Sequence, residues 1–183
     1  MKKLLLVLLL LIIIPSFSFA QKNITLGVFG GVIIPTGTFA DGFNLSPSVG
    51  AESYYPVDKN IDVVADIAYS FLSLKNPGNL ISSDKYYYLE SSGGIRLNLM
   101  PSKQKFFIEA LVGGYTFGVN YTINGITYTN STTNFGLNAG AGVIVPLSAQ
   151  IEIAAKIKFH YIFTPVNSTS YIGFTGGFNY KFL

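Results

Sequence analysis

The chain has 183 residues, no cysteine and a formal net charge of +3. The missing cysteine excludes a disulfide framework and thiolate chemistry, and near-neutral charge removes the electrostatic case for a nucleic-acid partner. Charged residues make up 11% of the chain and hydrophobic ones 49%, against about 25% charged in ordinary soluble domains.

Residues 1–20 read as an export signal. Lys2-Lys3 forms a positive end, Leu4 to Ile14 is an uninterrupted apolar run, Pro15 breaks it, and Ser18-Phe19-Ala20 is a small-x-small cleavage site. The run is short of the roughly 20 apolar residues that a spanning helix needs. Cleavage would leave Gln21 first, which rules against lipoprotein processing, with ten Lys+Arg against nine Asp+Glu.

From Ile24 onward no 3.6-residue periodicity stands out, whereas alternation with period two recurs. It predicts eight strands at 24–35, 45–55, 61–72, 86–99, 106–121, 128–145, 151–163 and 170–182. The connections at Pro56–Asn60, Met100–Lys105 and Pro146–Gln150 are short, and those at Thr36–Asn44, Ser73–Lys85, around Asn124 and at Thr164–Thr169 are the longer, polar ones. Short turns at one end and long loops at the other are the pattern of outer-membrane barrels. Tyr121-Thr122-Ile123-Asn124-Gly125-Ile126-Thr127-Tyr128 is a near-palindrome about Asn-Gly, a strong type I′ hairpin signal. Pairing Ile123 with Ile126 and following the ladder down puts Tyr115 opposite Asn134 and Glu109 opposite Gly140. The hairpin is expected to project beyond the bilayer as a small sheet.

Side chains alternate across a strand, so each segment has two faces. Every ionisable residue on these strands lies on one face, namely Glu52, Asp62, Asp66, Glu90, Arg96, Glu109, Glu152, Lys156, Lys158, His160 and Lys181. The opposite face is uncharged, as in Ile61, Val63, Ala65, Ile67, Tyr69 and Phe71. In water the apolar face would be inside; in lipid the order inverts. Two features select lipid. The charged face is rich in Gly, Ser and Asn, which suits the narrow interior of an eight-stranded barrel. Aromatic residues of the apolar face gather at the strand ends: Tyr55, Phe106, Tyr180 and Phe182 at the turn end, and Tyr69, Phe71, Tyr87, Phe135, Tyr161 and Phe163 at the loop end. The predicted fold class is all-β, an eight-stranded antiparallel up-and-down transmembrane barrel over 21–183 after a signal peptide at 1–20.

At the C-terminus Thr175-Gly176-Gly177-Phe178-Asn179-Tyr180-Lys181-Phe182 resembles the β-signal of outer-membrane proteins: polar, any, Gly, two of any kind, aromatic, any, aromatic. Leu183 follows where that pattern usually ends. With the signal segment and the eight strands, the chain resembles the small OmpX/OmpA-type outer-membrane β-barrels, the porin family, and Gly140 to Ser148 is similar to their penultimate hairpin. The resemblance implies an outer membrane of the Gram-negative type, a shell of outer-membrane lipid, and a C-terminal strand (Thr175, Gly177, Tyr180, Phe182) read by the barrel-assembly machinery. No further domain is expected after the barrel.

The inward charges are expected to interlock, since buried charge is costly unless paired. Neighbouring strands bring Glu90 and Arg96 within reach of Glu109 and Asp66, and set Lys156 and Lys158 toward Lys181 or the asparagines of the sixth strand. A lumen plugged by side chains is the favoured reading, and a small passive pore the alternative. His160 is the only histidine; Glu152 shares its face but lies eight residues away, about 26 Å along a strand, too far to orient it. No catalytic site, metal or cofactor is expected, and no nucleic acid. The working surface is expected in the outer loops and the hairpin (Tyr121, Asn124, Gly125, Tyr128), which could engage a surface partner through an exposed strand edge.

Overall fold

The computed structural model describes residues 24–75, 85–99, 104–123, 126–165 and 167–182. The expected signal segment, Asn124-Gly125 and Leu183 lie outside the described residues. Eight strands form one closed barrel: β1 (Thr25–Thr36), β2 (Ser46–Pro56), β3 (Ile61–Leu72), β4 (Lys85–Asn98), β5 (Lys105–Ile123), β6 (Ile126–Pro146), β7 (Ile151–Ile162) and β8 (Thr169–Lys181). Each pairs antiparallel with its sequence neighbour, and β8 returns to β1 with Lys181 opposite Thr25 and Ser170 opposite Thr36. Closure leaves no sheet edge within the wall, which a β-structure in lipid requires.

The β5–β6 register is the one that the Asn-Gly turn dictates: Ile123 faces Ile126, Tyr115 faces Asn134 and Glu109 faces Gly140. The predicted strand limits hold to within about two residues, with β5 and β6 running further toward their turn than expected. The Thr36–Asn44 connection holds a feature the alternation did not show, a single helical turn, α1 (Phe39–Gly42), whose Phe39 is buried. Positive φ at Gly37 (58°) bends the chain into this turn.

The faces are inverted relative to a soluble barrel. Val28 is 64% exposed and Phe178 60%, whereas Arg96 is 0% exposed and Glu109 4%. The terminal aromatics point outward and touch one another, as with Tyr69 stacked on Tyr87 and Phe135 on Phe163 at the loop end, and Tyr180 against Phe182 at the turn end. An apolar outer band with aromatic rims and a charged interior is the arrangement that a bilayer stabilises. Ile157 lies midway along β7 on this band. Ile157→Arg is expected to lower stability in phospholipid vesicles by about 2–4 kcal/mol, read from urea unfolding; a neutral effect would mean that water, not lipid, touches this face.

Inward glycines make room for inward rings. Phe29 pairs with Gly50 and Phe107 with Gly142 across neighbouring strands. A Cβ on Gly50 would lie 2.5 Å from the Phe29 ring, and one on Gly142 2.4 Å from the Phe107 ring. These rings point into a bore that eight strands leave only wide enough for side chains.

Candidate functional site: the lumen and the outer hairpin

The lumen is built in layers. Arg96, on β4, is central to the lower charged layer. Its Nε and Nη2 donate to Glu109 Oε2 at 2.9 and 2.8 Å, and Nη2 also donates to Glu52 Oε2 at 2.9 Å. The guanidinium lies 4.1 Å from the Phe107 ring centre and 4.9 Å from that of Tyr54, so its faces meet π clouds while its edge meets carboxylates. Lys156 crosses the bore from β7 to Glu52 (2.9 Å) and Asp66 (3.4 Å), with its ammonium 4.6 Å from the Phe29 ring. Lys158 reaches Asp66 at 2.6 Å and Glu90 at 3.5 Å.

Glu90 collects the upper partners. Ser92 Oγ and Asn138 Nδ2 donate to its Oε1 at 2.8 and 3.0 Å, and the Tyr171 hydroxyl donates to Oε2 at 3.4 Å. His160 Nδ1 is 3.5 Å from Glu90 and 3.2 Å from the Tyr115 hydroxyl, and its ring stacks on Tyr171. The acid beside His160 is thus Glu90 of β4. Sequence spacing could not find it, because the two are joined only across the bore.

The structure corrects the expected partners of the lysines. Lys156 and Lys158 do not turn to Lys181 or to the asparagines of β6; they span the lumen to acids on β2, β3 and β4. Strand order gives wall neighbours, whereas a lysine is long enough to reach the opposite wall. Asp62, Glu152 and Lys181 stand apart from the central cluster, lining a polar cavity of about 110 Å³ at the turn end. There Asn98 donates to Asp62 (3.0 Å), the Tyr54 hydroxyl donates to Glu152, and the half-exposed Lys105 lies 3.6 Å from Glu152. Among the described residues Lys181 makes no ion pair.

Apolar side chains are interleaved with the charges. Tyr54, Val64, Phe107, Leu111, Ile144 and Ala154 pack on the turn side. Ile33, Phe39, Leu72, Tyr88, Tyr115, Ile162 and Tyr171 pack on the loop side. Phe39 drops from α1 into the outer mouth and meets Tyr88 edge-on at 5.9 Å. The turn that carries it is tied to the neighbouring loop: Lys75 N donates to Gly42 O (2.9 Å), Lys75 Nζ to Ala40 O (3.1 Å) and Asn44 N to Ser73 O (2.8 Å). Beside His160, Lys158 and Glu90 the remaining space is about 20 Å³, room for about one water molecule. No group of three or more His, Asp or Glu among the described residues is placed to hold a metal ion.

Above the wall, and among the described residues, β5 and β6 continue alone. The described pairing of β4 reaches Asn120, and that of β7 with β6 reaches Gly136, with Phe163 N donating to Phe135 O at 2.9 Å. Residues Ile126 to Thr133 are exposed on both faces. The ribbon is held by its own side chains: Thr116 bonds to Thr133 at 2.7 Å, Thr129 donates to Asn120 at 2.8 Å, and the Tyr121 and Tyr128 rings stack at 5.6 Å.

No protein-family model and no curated protein matches the sequence. Solved structures do match in shape. Neisserial surface protein A (NspA) superposes with a TM-score of 0.70 at 13% identity, covering 87% of this chain and 97% of that one. The fold is that of the small outer-membrane barrels. Ail, the attachment invasion locus protein of Yersinia pestis, gives 0.57 at 15% identity, covering 87% and 97%. The outer membrane protein OprG of Pseudomonas aeruginosa gives 0.55 at 15% identity, covering 88% and 97%. This chain shares their eight-stranded outer-membrane architecture, and its own apolar band places it in a bilayer.

Proposed function

We propose that this outer-membrane barrel conducts nothing and catalyses nothing, and that it works as a surface-contact protein through its outer hairpin. The observation that carries the reading is the contrast between the two ends of the molecule: a lumen filled by charged and aromatic layers, and a ribbon standing free of the wall. Phe39 above and the Arg96–Phe107–Tyr54 layer below interrupt the bore. His160 is 2% exposed beneath that upper cap and is engaged by Tyr115, Tyr171 and Glu90, so a substrate at the rim does not reach it.

The exposed edge of β6, unpaired among the described residues, supports contact by strand addition, in which backbone hydrogen bonds supply affinity. Ail, by its name an attachment protein, has been crystallised with the heparin analogue sucrose octasulfate; a role in attachment for this chain is our reading. The C-terminal residues Thr175, Gly177, Tyr180 and Phe182 would serve recognition by the assembly machinery. Planar-bilayer recording of the purified barrel tests the closed lumen. Silence, or rare flickers, is the expected result, and sustained open-channel steps would favour the passive pore.

A further inference from the structure

The free edge of β6 has a definite composition and phase. In an antiparallel ladder, alternate residues point both N–H and C=O to the same side. The Phe163–Phe135 bond shows that odd-numbered residues of β6 face the β7 side. Above Phe135 no strand among the described residues occupies that side, so there Thr127, Thr129, Ser131 and Thr133 offer their backbone groups to the surroundings. From Val119 to Asn134 the sequence holds no charge and no proline. Two usual devices that keep an edge from pairing, lysine and proline, are therefore missing from it.

We infer that the partner of this edge is the same edge of a second copy, paired antiparallel about a two-fold axis through Asn130. This rests on the surface-contact reading above and names its partner. The edge is complementary to itself in phase and in side chains. Turned about Asn130, Thr127 meets Thr133 of the other molecule and Thr129 meets Ser131, so all four residues on each side are satisfied by roughly eight backbone hydrogen bonds. The side chains agree as well. Thr faces Thr and Thr faces Ser on the outward face, both favoured cross-strand pairs, and Asn130 faces Asn130 with no like charges opposed. Two ribbons then become one four-stranded sheet, the interface is isologous and closes at two copies. An antiparallel pair points the two barrels in opposite directions, so the contact joins facing membranes. The aromatic rims would stand ~33 Å apart, measured along the strands at about 3.3 Å per residue.

The chain's lack of cysteine makes the test clean. At the two-fold axis a non-hydrogen-bonded pair has Cα atoms about 4.5 Å apart, inside the roughly 4.4–6.8 Å range of a disulfide. Asn130→Cys, oxidised in neutral phosphatidylcholine vesicles carrying the barrel with loops outward, is expected to give a covalent dimer between vesicles. Thr122→Cys, off the edge, is expected to stay monomeric. In a second arm, Asn130→Lys vesicles and Asn130→Glu vesicles should each fail to cluster at physiological salt, while a mixture of the two clusters. The mixture of Thr122→Lys with Thr122→Glu controls for plain charge attraction. Rescue on mixing also excludes misfolding as the cause of the single losses. Absence of the Asn130→Cys dimer, together with wild-type clustering of the Asn130→Lys vesicles, overturns the inference. If in addition Asn130→Lys leaves attachment of whole cells to surfaces unchanged, the surface-contact reading falls with it. If that attachment is lost while no dimer forms, only self-pairing falls and the edge takes a foreign strand.

Discussion

Arg96→Ala is expected to lower the unfolding free energy of the barrel by about 3–5 kcal/mol, because removing one partner leaves buried charges uncompensated. Arg96 is fully buried, and its deletion strips Glu109 of both donated bonds and leaves Glu52 with Lys156 as its remaining cation. The loss also empties the space between the Tyr54 and Phe107 rings. Arg96→Lys should recover only part of this, since an ammonium is a point donor and cannot reproduce the planar fork. Urea titration in vesicles, followed by the shift between folded and unfolded bands on an unheated denaturing gel, measures both variants. A loss below about 1 kcal/mol for Arg96→Ala would show that water solvates the two carboxylates, as it does for exposed pairs. The closed-lumen reading would then be wrong.

Gly177→Val is expected to prevent the barrel from closing. Gly177 lies where β8 meets β1, opposite Phe29. A Cβ there would sit 2.2 Å from the Val28 carbonyl oxygen and 2.9 Å from Phe29 Cα. Both are backbone atoms of the neighbouring strand and cannot swing aside. Overpacking a side chain into a well-filled interior typically costs about 1–3 kcal/mol, and a clash with backbone at the seam should exceed that. The measurement is the yield of compact barrel on refolding into detergent micelles, with no assembly machinery present. Phe182→Ala, whose ring is on the outer rim, should refold normally in the same assay. If Gly177→Val also refolds normally and fails only in cells, the glycine acts through recognition alone and the steric account is wrong.

Much of this protein is legible without coordinates, and the reasons differ by element. The strands announce themselves because alternation is a local property of each segment. Glu109, Asp66 and Lys158 were placed inside by parity, and they lie inside. The β5–β6 ladder followed from one dipeptide, since a two-residue turn sets the pairing of every residue below it. The inward side chains of Phe29, Phe107 and Leu111 are less legible. Apolar residues occur on both faces of β1 and β5, and only the closed barrel shows Phe29 beside the Lys156 ammonium and Phe107 and Leu111 packed in the turn-side apolar cluster. Phe39 left no periodic trace at all, being carried inward by one helical turn in a loop.

Read alone, the amino-acid order determined the direction of the sheet's two faces, and with it the choice of lipid over water, because side-chain alternation survives whatever the strands pack against. Which acid holds which base was decided only by closure of the barrel. Lys156 meets Glu52 and Asp66, and His160 meets Glu90, across a bore whose width no linear spacing encodes. The open edge above Phe135, among the described residues, is likewise a tertiary fact: β7 stops while β6 goes on.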